Sequence, residues 1–203
     1  MKPAVHPRAA SARRRASEVV DAAAKVFARR GYHGASTQDI ADVLGIRQAS
    51  LYYYFESKEA ALEAVCASGV EDYALRAQRI LRAPESASEK VARLVFHHLA
   101  PLAERLDYTL VFLRERRFLP EPARRRIRAI ERRYERTIER ILEQGVAAGE
   151  FRADLDTRMG TLALLGLGNS AALWFGREPG ASLERITRNY VELLLRAFRM
   201  AAH

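Results

Sequence analysis

Apolar and polar residues follow helical spacing along almost the whole chain. Val19, Val20, Ala23, Val26 and Phe27 recur at three- and four-residue steps, which places them on one stripe of a helix with arginine and aspartate opposite. The stripe stops at "RRGYHG", where Gly31 suits the position just past a helix end and Gly34 delays the next start. Ser36 or Thr37 then caps a short helix, "TQDIADVLG", with Asp39 in its first turn and Gly45 at its end. "RQASLYYYF" forms a third, short helix, and "ESKEAALEAV" opens a fourth with Ser57 as its cap. Pro84 and "APESASEK" mark a break before a helix from near Ser88, which Pro101 kinks or ends. "LDYTLVFLRERRF" is a further helical piece, stopped by "LPEP". A long amphipathic helix covers about Ala123 to Ala148. Two more cover about Thr157–Trp174 and Ser182–Arg199, with the turn "GREPGAS" between them. No strand pattern and no internal repeat emerges. The pattern predicts an all-α chain of roughly nine helices.

Helices two and three are short and joined by a tight turn, as a helix-turn-helix requires. Ile40, Ala41 and Leu44 face inward on the first, and Ile46 and Leu51 around the turn and on the second; Ala41 is small where the helices cross. Arg47, Gln48, Ser50, Tyr52 and Tyr53 are left outside. That face has many donors and almost no acid, which suits phosphates and base edges. In "SLYYYF" neighbouring side chains fan out by about 100° each, so no core can take all three rings. Leu51 and Phe55, four residues apart, anchor inward; Tyr54 goes to the core; Tyr52 and Tyr53 face outward. An ordinary helical hairpin with a solvated face is the alternative, and it does not account for exposed tyrosines.

Charge sharpens this picture. The 203 residues carry 34 Lys and Arg against 25 Asp and Glu, a net charge of +9. Such a surplus favours a polyanionic partner, most simply nucleic acid, although a GC-rich genome also raises arginine counts. The start, "MKPAVHPRAASARRR", places five cations ahead of the first acid, Glu18, and predicts a flexible basic arm over residues 1–12. No signal-like apolar stretch follows, and the apolar segment Leu162–Phe175 is interrupted by glycine, Asn169 and Ser170, so no membrane span is expected. Cys66 is the only cysteine, which excludes an intramolecular disulfide and a thiolate zinc site and suits a reducing cytoplasm. No nucleophile–base set, metal spacing or phosphate loop points to an enzyme or to a cofactor.

"STQDIADVLGIRQASLYYYFESKEAALEAV" resembles the DNA-binding unit of the TetR family of transcriptional regulators. The similar features are a threonine opening helix two, "IA" at 40–41, "LG" at the turn, "LYxYF" at 51–55 and "SKEAxL" at 57–62; the match runs from about Arg13 to Val65. The resemblance implies that helix three reads DNA. Thr37 then contacts phosphate; Gln48, Ala49 and Ser50 lie nearest base edges; Tyr52 and Tyr53 meet the backbone or a thymine methyl; Lys58 takes another phosphate. Glutamine can pair bidentately with adenine, and a small Ala49 permits close approach. Arg47 departs from the family, which commonly has a small capping residue there. It can read guanine, hold phosphate or stay solvated. The family often has histidine where Tyr53 stands. The implied organisation is the arm, a helix-turn-helix unit over 13–58, and an effector-binding and dimerisation domain over 59–203.

Helix-turn-helix proteins read paired half-sites, so a homodimer on double-stranded operator DNA is expected. The last two helices are its candidate interface, through Leu162, Leu165 and Leu173 on one and Ile186, Tyr190, Leu193, Leu194 and Phe198 on the other; Gly160, Gly166 and Gly168 permit close approach. On the long helix, Arg128, Arg132, Arg136 and Arg140 fall three residues from Glu131, Glu135, Glu139 and Glu143, the spacing of an ion-pair ladder, while Ile127, Ile130, Tyr134, Ile138 and Ile141 occupy another face. Arg124–Arg126, with Arg116 and Arg117, form an unbalanced cationic cluster that can hold a phosphate-bearing ligand such as a coenzyme A thioester. The resemblance also implies a small-molecule effector pocket within helices four to eight. Candidate lining residues are Cys66, Val70, Tyr73, Phe96, His97, Leu99, Tyr108, Phe112, Phe118, Leu165, Asn169 and Trp174. Adjacent His97 and His98 cannot both face inward, so one belongs at the surface and no metal pair is expected. Asn169 and Ser170, inside an apolar helix, need partners: each other across the dimer, or a ligand.

Together these features point to a dimeric DNA-binding repressor released from its operator by a small, mainly apolar ligand. The stretch "ALWFGREPGASLERITRNYVELLLRAF" and the apolar pocket residues resemble regulators of lipid or steroid breakdown that respond to acyl-CoA esters. The alternative is a regulator without a small ligand, controlled by a protein partner or by Cys66 oxidation, but an apolar helix face favours an inert thiol.

Overall fold

The computed structural model describes residues 7–199, with side chains from Arg14 onward. Among them there are ten α-helices and one 3₁₀ turn, and no strand. They are α1 (Pro7–Gly34), α2 (Thr37–Leu44), α3 (Gln48–Leu51), α4 (Lys58–Arg82), α5 (Ala87–Leu99), α6 (Pro101–Glu104), α7 (Leu106–Glu115), the 3₁₀ turn Arg116–Phe118, α8 (Glu121–Ala147), α9 (Thr157–Trp174) and α10 (Leu183–Phe198). The extra helix arises at Pro101. Its missing N–H stops α5 but suits a first helical position, so a new one-turn helix starts there. Residues 7–12 are helical, part of α1 rather than of a flexible arm; residues 1–6 of the expected arm lie outside the described residues.

Side-chain oxygens set most helix starts. Ser36, rather than Thr37, caps α2: its hydroxyl accepts from the Asp39 amide at 3.1 Å, and the Asp39 carboxylate accepts from the Ser36 amide at 2.8 Å. Ser86 and Glu89 repeat this box on α5. Ser57, Asp156 and Ser182 cap α4, α9 and α10.

The buried apolar residues form two clusters. The first joins α1–α3 and the start of α4 to Tyr108 and Val111 of α7 and to Leu119, Ala123 and Ile127 at the entry to α8. The second holds the rest of α4, with α5, α6, the body of α8, α9 and α10. Packing therefore does not break at residue 58: Ala61, Leu62 and Val65 share the first cluster with Phe27, Ile40 and Leu51.

The ladder expected on α8 is not what forms among the described residues. Glu131 pairs with Arg116 at 2.7 Å and Glu135 with Arg158 of α9 at 2.8 Å. Both glutamates are about three-quarters shielded, and a half-shielded partner on another element gains more than the 0.3–0.5 kcal/mol of an exposed pair along one helix, about the usual figure. The supposed free cationic cluster is also paired. Arg126 grips Glu63 of α4 through two hydrogen bonds of 2.7 and 2.8 Å, Arg124 and Arg125 meet Glu121, and Arg116 is held by Glu131. Only Arg117 of this group lacks an acid partner among the described ion pairs, and it lies over the Phe118 ring.

Candidate functional site

α2 and α3 meet as the pattern required. Ile40 and Ala41 are fully buried, Leu51 nearly so, and Gly45 turns the chain in the left-handed region with φ +65°. The turn holds itself: the Ile46 amide donates to the Ala41 carbonyl at 3.1 Å. On the outside, Arg47, Ala49, Ser50, Tyr52 and Tyr53 are all exposed. Tyr53 is 87% exposed and Tyr52 49%, far beyond what a core role would leave. Tyr54 is half-buried against the first cluster and meets the Tyr53 ring edge-on at 5.2 Å. Gln48 Nε2 donates to Thr37 Oγ1 at 2.7 Å, so two of the expected contacts steady each other across the turn. α3 itself is a single turn whose cap, Arg47, makes no side-chain capping bond.

Lys58, expected at a phosphate, also has partners within the chain. Its ammonium donates to the carbonyls of Tyr32 and Ala35, both at 3.0 Å, and lies 4.3 Å from the Tyr32 ring centroid. Those carbonyls stand past the break in α1, where Gly31 takes φ +67° and ψ 170° and frees the local backbone groups. Two of the three ammonium donors thus go to the protein, which leaves one for an outside acceptor. The other freed group, the Tyr32 amide, donates to Glu115 Oε2 of α7 at 2.8 Å. Tyr32 completes the joint: its ring stacks on Phe118 at 5.4 Å and its hydroxyl donates to the Glu59 carboxylate. Burial and that bond push the Tyr32 phenol up to about 12, and the bond holds the Glu59 carboxyl below its usual range against the opposing effect of burial.

A cavity of about 360 Å³ lies between α4, α5, α7, α8 and α9. Of the candidate lining residues, Val70, Tyr73, His97, Tyr108, Phe112, Leu165 and Asn169 border it. Five other candidates lie elsewhere. Cys66 is fully buried in the first cluster, and burial pushes its thiol up to about 12. Phe118 belongs to the Tyr32 stack, Leu99 is core, Phe96 is half-exposed, and Trp174 borders a separate shallow groove with Tyr190 near the α9–α10 turn. His97 and His98 both border the cavity, because it is wide enough to meet two side chains about 100° apart at the end of α5. His98 is the more buried. Its Nδ1 is 3.1 Å from Tyr134 Oη and its Nε2 3.2 Å from Asn169 Oδ1, while burial brings its pKa down to about 4. Asn169 thus finds a partner within its own chain, and the Ser170 hydroxyl donates to the Leu167 carbonyl. Sequence reasoning missed His98, Arg76, Arg105 and Tyr134 as wall residues; only Tyr134 carried a signal, its place on the apolar stripe of α8.

The expected dimer residues divide. Ile186, Leu194 and Phe198 are core, buried against the rest of the second cluster, because α10 packs on α5 within one chain. Leu165 and Tyr190 are partly buried against the same cluster. Leu162, Leu173 and Leu193 remain 40%, 50% and 55% exposed. Gly168 serves an internal approach: a Cβ there would lie 2.2 Å from Cδ2 of the His98 ring.

α7 joins the two regions. One flank lines the cavity through Tyr108, Thr109, Phe112 and Leu113. The other holds α1: Tyr108 Oη donates to Asp21 Oδ1 at 2.5 Å, Arg105 at the α7 cap lies 3.8 Å from the same carboxylate, and Glu115 takes the Tyr32 amide. Burial, with Asp21 as acceptor, raises the Tyr108 phenol to about 12, so it stays a donor.

Comparison with known proteins agrees with this architecture. Family models match twice: bacterial regulatory proteins of the tetR family over residues 19–65, and the tetracyclin repressor-like C-terminal domain over residues 84–198. The chain is 26% identical over 179 residues to the fatty acid metabolism regulator protein of Bacillus subtilis, covering 88% of this chain and 92% of that one. It is 28% identical over 182 residues to the HTH-type transcriptional repressor KstR2 of Mycolicibacterium smegmatis, covering 89% of each. The solved structure of the regulator FadR from Bacillus subtilis in complex with stearoyl-CoA superposes with a TM-score of 0.76 at 25% identity, over 90% of this chain and 99% of that one. No helix among the described residues is long and apolar enough to cross a membrane. With a DNA-reading helix pair at one end, a hollow helical body at the other and both family models matched in order, the chain belongs to the tetR family of bacterial regulatory proteins.

Proposed function

We propose that the chain is a dimeric transcriptional repressor that grips operator DNA through α2 and α3 and releases it when a small, mainly apolar effector fills the cavity. The double duty of α7 carries this reading: the same ten residues wall the cavity and hold α1 through Asp21 and Tyr32. An effector shifts an equilibrium only by binding one conformer more tightly than the other. A conformer with α7 displaced around an effector also displaces α1, and with it the recognition helix packed on α1 and α2. An acyl-CoA ester or another metabolite of lipid breakdown is the effector class favoured by the relatives' names and by the apolar wall. Control by oxidation has little support, because Cys66 is sealed in the core as a neutral thiol.

The half-exposed Leu162, Leu173 and Leu193 support a two-fold pairing of α9 and α10 into a four-helix bundle. The exposed aromatic and arginine face around α3 supports the DNA grip. To test the function, the full chain is mixed with a randomised duplex pool and the bound DNA sequenced. A two-fold symmetric site with half-sites about 10 base pairs or a multiple apart is expected, with affinity falling steeply as salt rises. Failure to enrich any sequence, or a flat salt dependence, contradicts the reading.

A further inference from the structure

Four side chains on the α4, α5, α8 and α9 walls form one network around His98. Its ring is stacked within 5° of the Tyr134 plane, lies 5.1 Å from the Tyr73 ring, and fits against Gly168 where no Cβ could stand. The imidazole is therefore fixed in place. Its tautomer follows from its partners. The buried Tyr134 hydroxyl has no acceptor among the described residues except His98 Nδ1, so it donates there. The ring proton then sits on Nε2 and is donated to Asn169 Oδ1. This turns the amide of Asn169 so that its NH₂ group points away from His98. Asn169 lines the cavity, and that NH₂ has no partner among the described residues. That NH₂ is open to the cavity, where a ligand can reach it. On the same wall His97 Nδ1 is buried and unpartnered, and native interiors rarely leave such a group unpaired unless water or a ligand completes it. The cations at the cavity are, by contrast, already matched: Arg76 faces Asp72, Arg105 faces Asp21 and Arg116 faces Glu131, while Glu135 faces Arg158 and only Glu104 of the lining charges has no ion pair among the described residues.

We propose that the part of the effector entering the cavity is an uncharged apolar body with one hydrogen-bond-accepting oxygen, a carbonyl or hydroxyl, which accepts from the Asn169 amide beside His97. Asn169 is then a specificity-determining residue, oriented by His98 and Tyr134. The low pKa of His98 supports the arrangement, since a neutral ring keeps the tautomer that aims the amide. The inference rests on the reading of this cavity as the effector site.

The test titrates the full chain with two probes of one skeleton, butyrophenone and butylbenzene, followed by NMR. Without a donor in the cavity the ketone is disfavoured, because its carbonyl leaves water unpaired. With the Asn169 amide present, butyrophenone is expected to bind about fivefold or more tightly than butylbenzene, and to shift the Asn169 side-chain amide protons, which butylbenzene does not. Asn169→Asp keeps an oxygen for the His98 N–H but replaces the donor. It is expected to reverse the preference while still binding butylbenzene. If the wild-type protein binds both probes equally or prefers butylbenzene, with no amide shift, the inference is overturned and the cavity reading stands. If neither probe binds, the reading of the cavity as an apolar effector site fails, and the inference with it.

Discussion

The two hydrophobic clusters differ in what they tolerate. The first, around α1–α3, is filled by apolar side chains: Val19, Phe27, Ile40, Leu51 and Leu62 are at most 1% exposed. The second borders a cavity, and the elements that build it carry the four buried polar or charged residues found among the described ones: Lys90, His98, Thr137 and Thr161. A reading head must present α3 at a fixed angle, and dense apolar packing supplies that rigidity. A sensing body must leave room and offer polar groups, each requiring a partner. α7 belongs to both, and this makes the difference useful for control.

Breaking the dense side is expected to cost most. Phe27→Ala should lower stability by about 3–5 kcal/mol in denaturant unfolding; a loss under about 1 kcal/mol would mean the first cluster is looser than its burial implies. The polar side is expected to show itself through pH. His98 has its pKa depressed from 6.5 to about 4, so the unfolded chain binds its proton first. Stability from the neutral ring is fully present above pH 6.5 and is lost as pH falls toward 4, roughly 3 kcal/mol over that window. Glu59, bonded to Tyr32 of the first cluster, is also depressed but from 4.5, so its loss begins lower. Thermal unfolding between pH 7 and 4.5 should therefore slope in the wild type and slope less in His98→Gln, where His97, also lowered by burial, supplies the remaining slope. An unchanged slope would assign the effect elsewhere.

Smaller effects sharpen the division. Tyr52→Phe should leave stability within about 0.5 kcal/mol, as exposed substitutions do, yet weaken operator binding by about fivefold through one lost hydrogen bond. Equal operator affinity would remove that hydroxyl from the DNA surface. Cys66 should resist alkylation in the native chain and react after unfolding; rapid native labelling would show that the first cluster opens.

Much of this division could be read in advance because it depends on near neighbours. Caps, stripes and the inward set Ile40, Ala41 and Leu51 follow from three- and four-residue spacing, and so does the exposure of Tyr52 and Tyr53. What could not be read depends on how helices cross. Cys66 and Val70 lie one turn apart on α4, yet one enters the first cluster and the other the cavity wall, because α4 passes between them. Lys58 turned inward because the break at Gly31 left carbonyls that only the folded chain brings near it. The α8 glutamates found arginines on other elements for the same reason. The partnership of His98, Tyr134 and Asn169 spans 71 residues and leaves no mark on local pattern.

The most direct test of the α7 link is a coupling measurement. Affinity for the selected operator is determined with and without acyl-CoA esters of increasing chain length, in the wild type and in Asp21→Asn, which weakens the hold of Tyr108 and Arg105 on α1. The expected result is that at least one ester weakens wild-type operator binding by about tenfold or more, a coupling within the usual range. Asp21→Asn should bind effector-free operator normally but lose most of that response. If no ester changes operator affinity, or if Asp21→Asn responds as fully as the wild type, occupancy of the cavity does not reach the DNA-reading helices through α7.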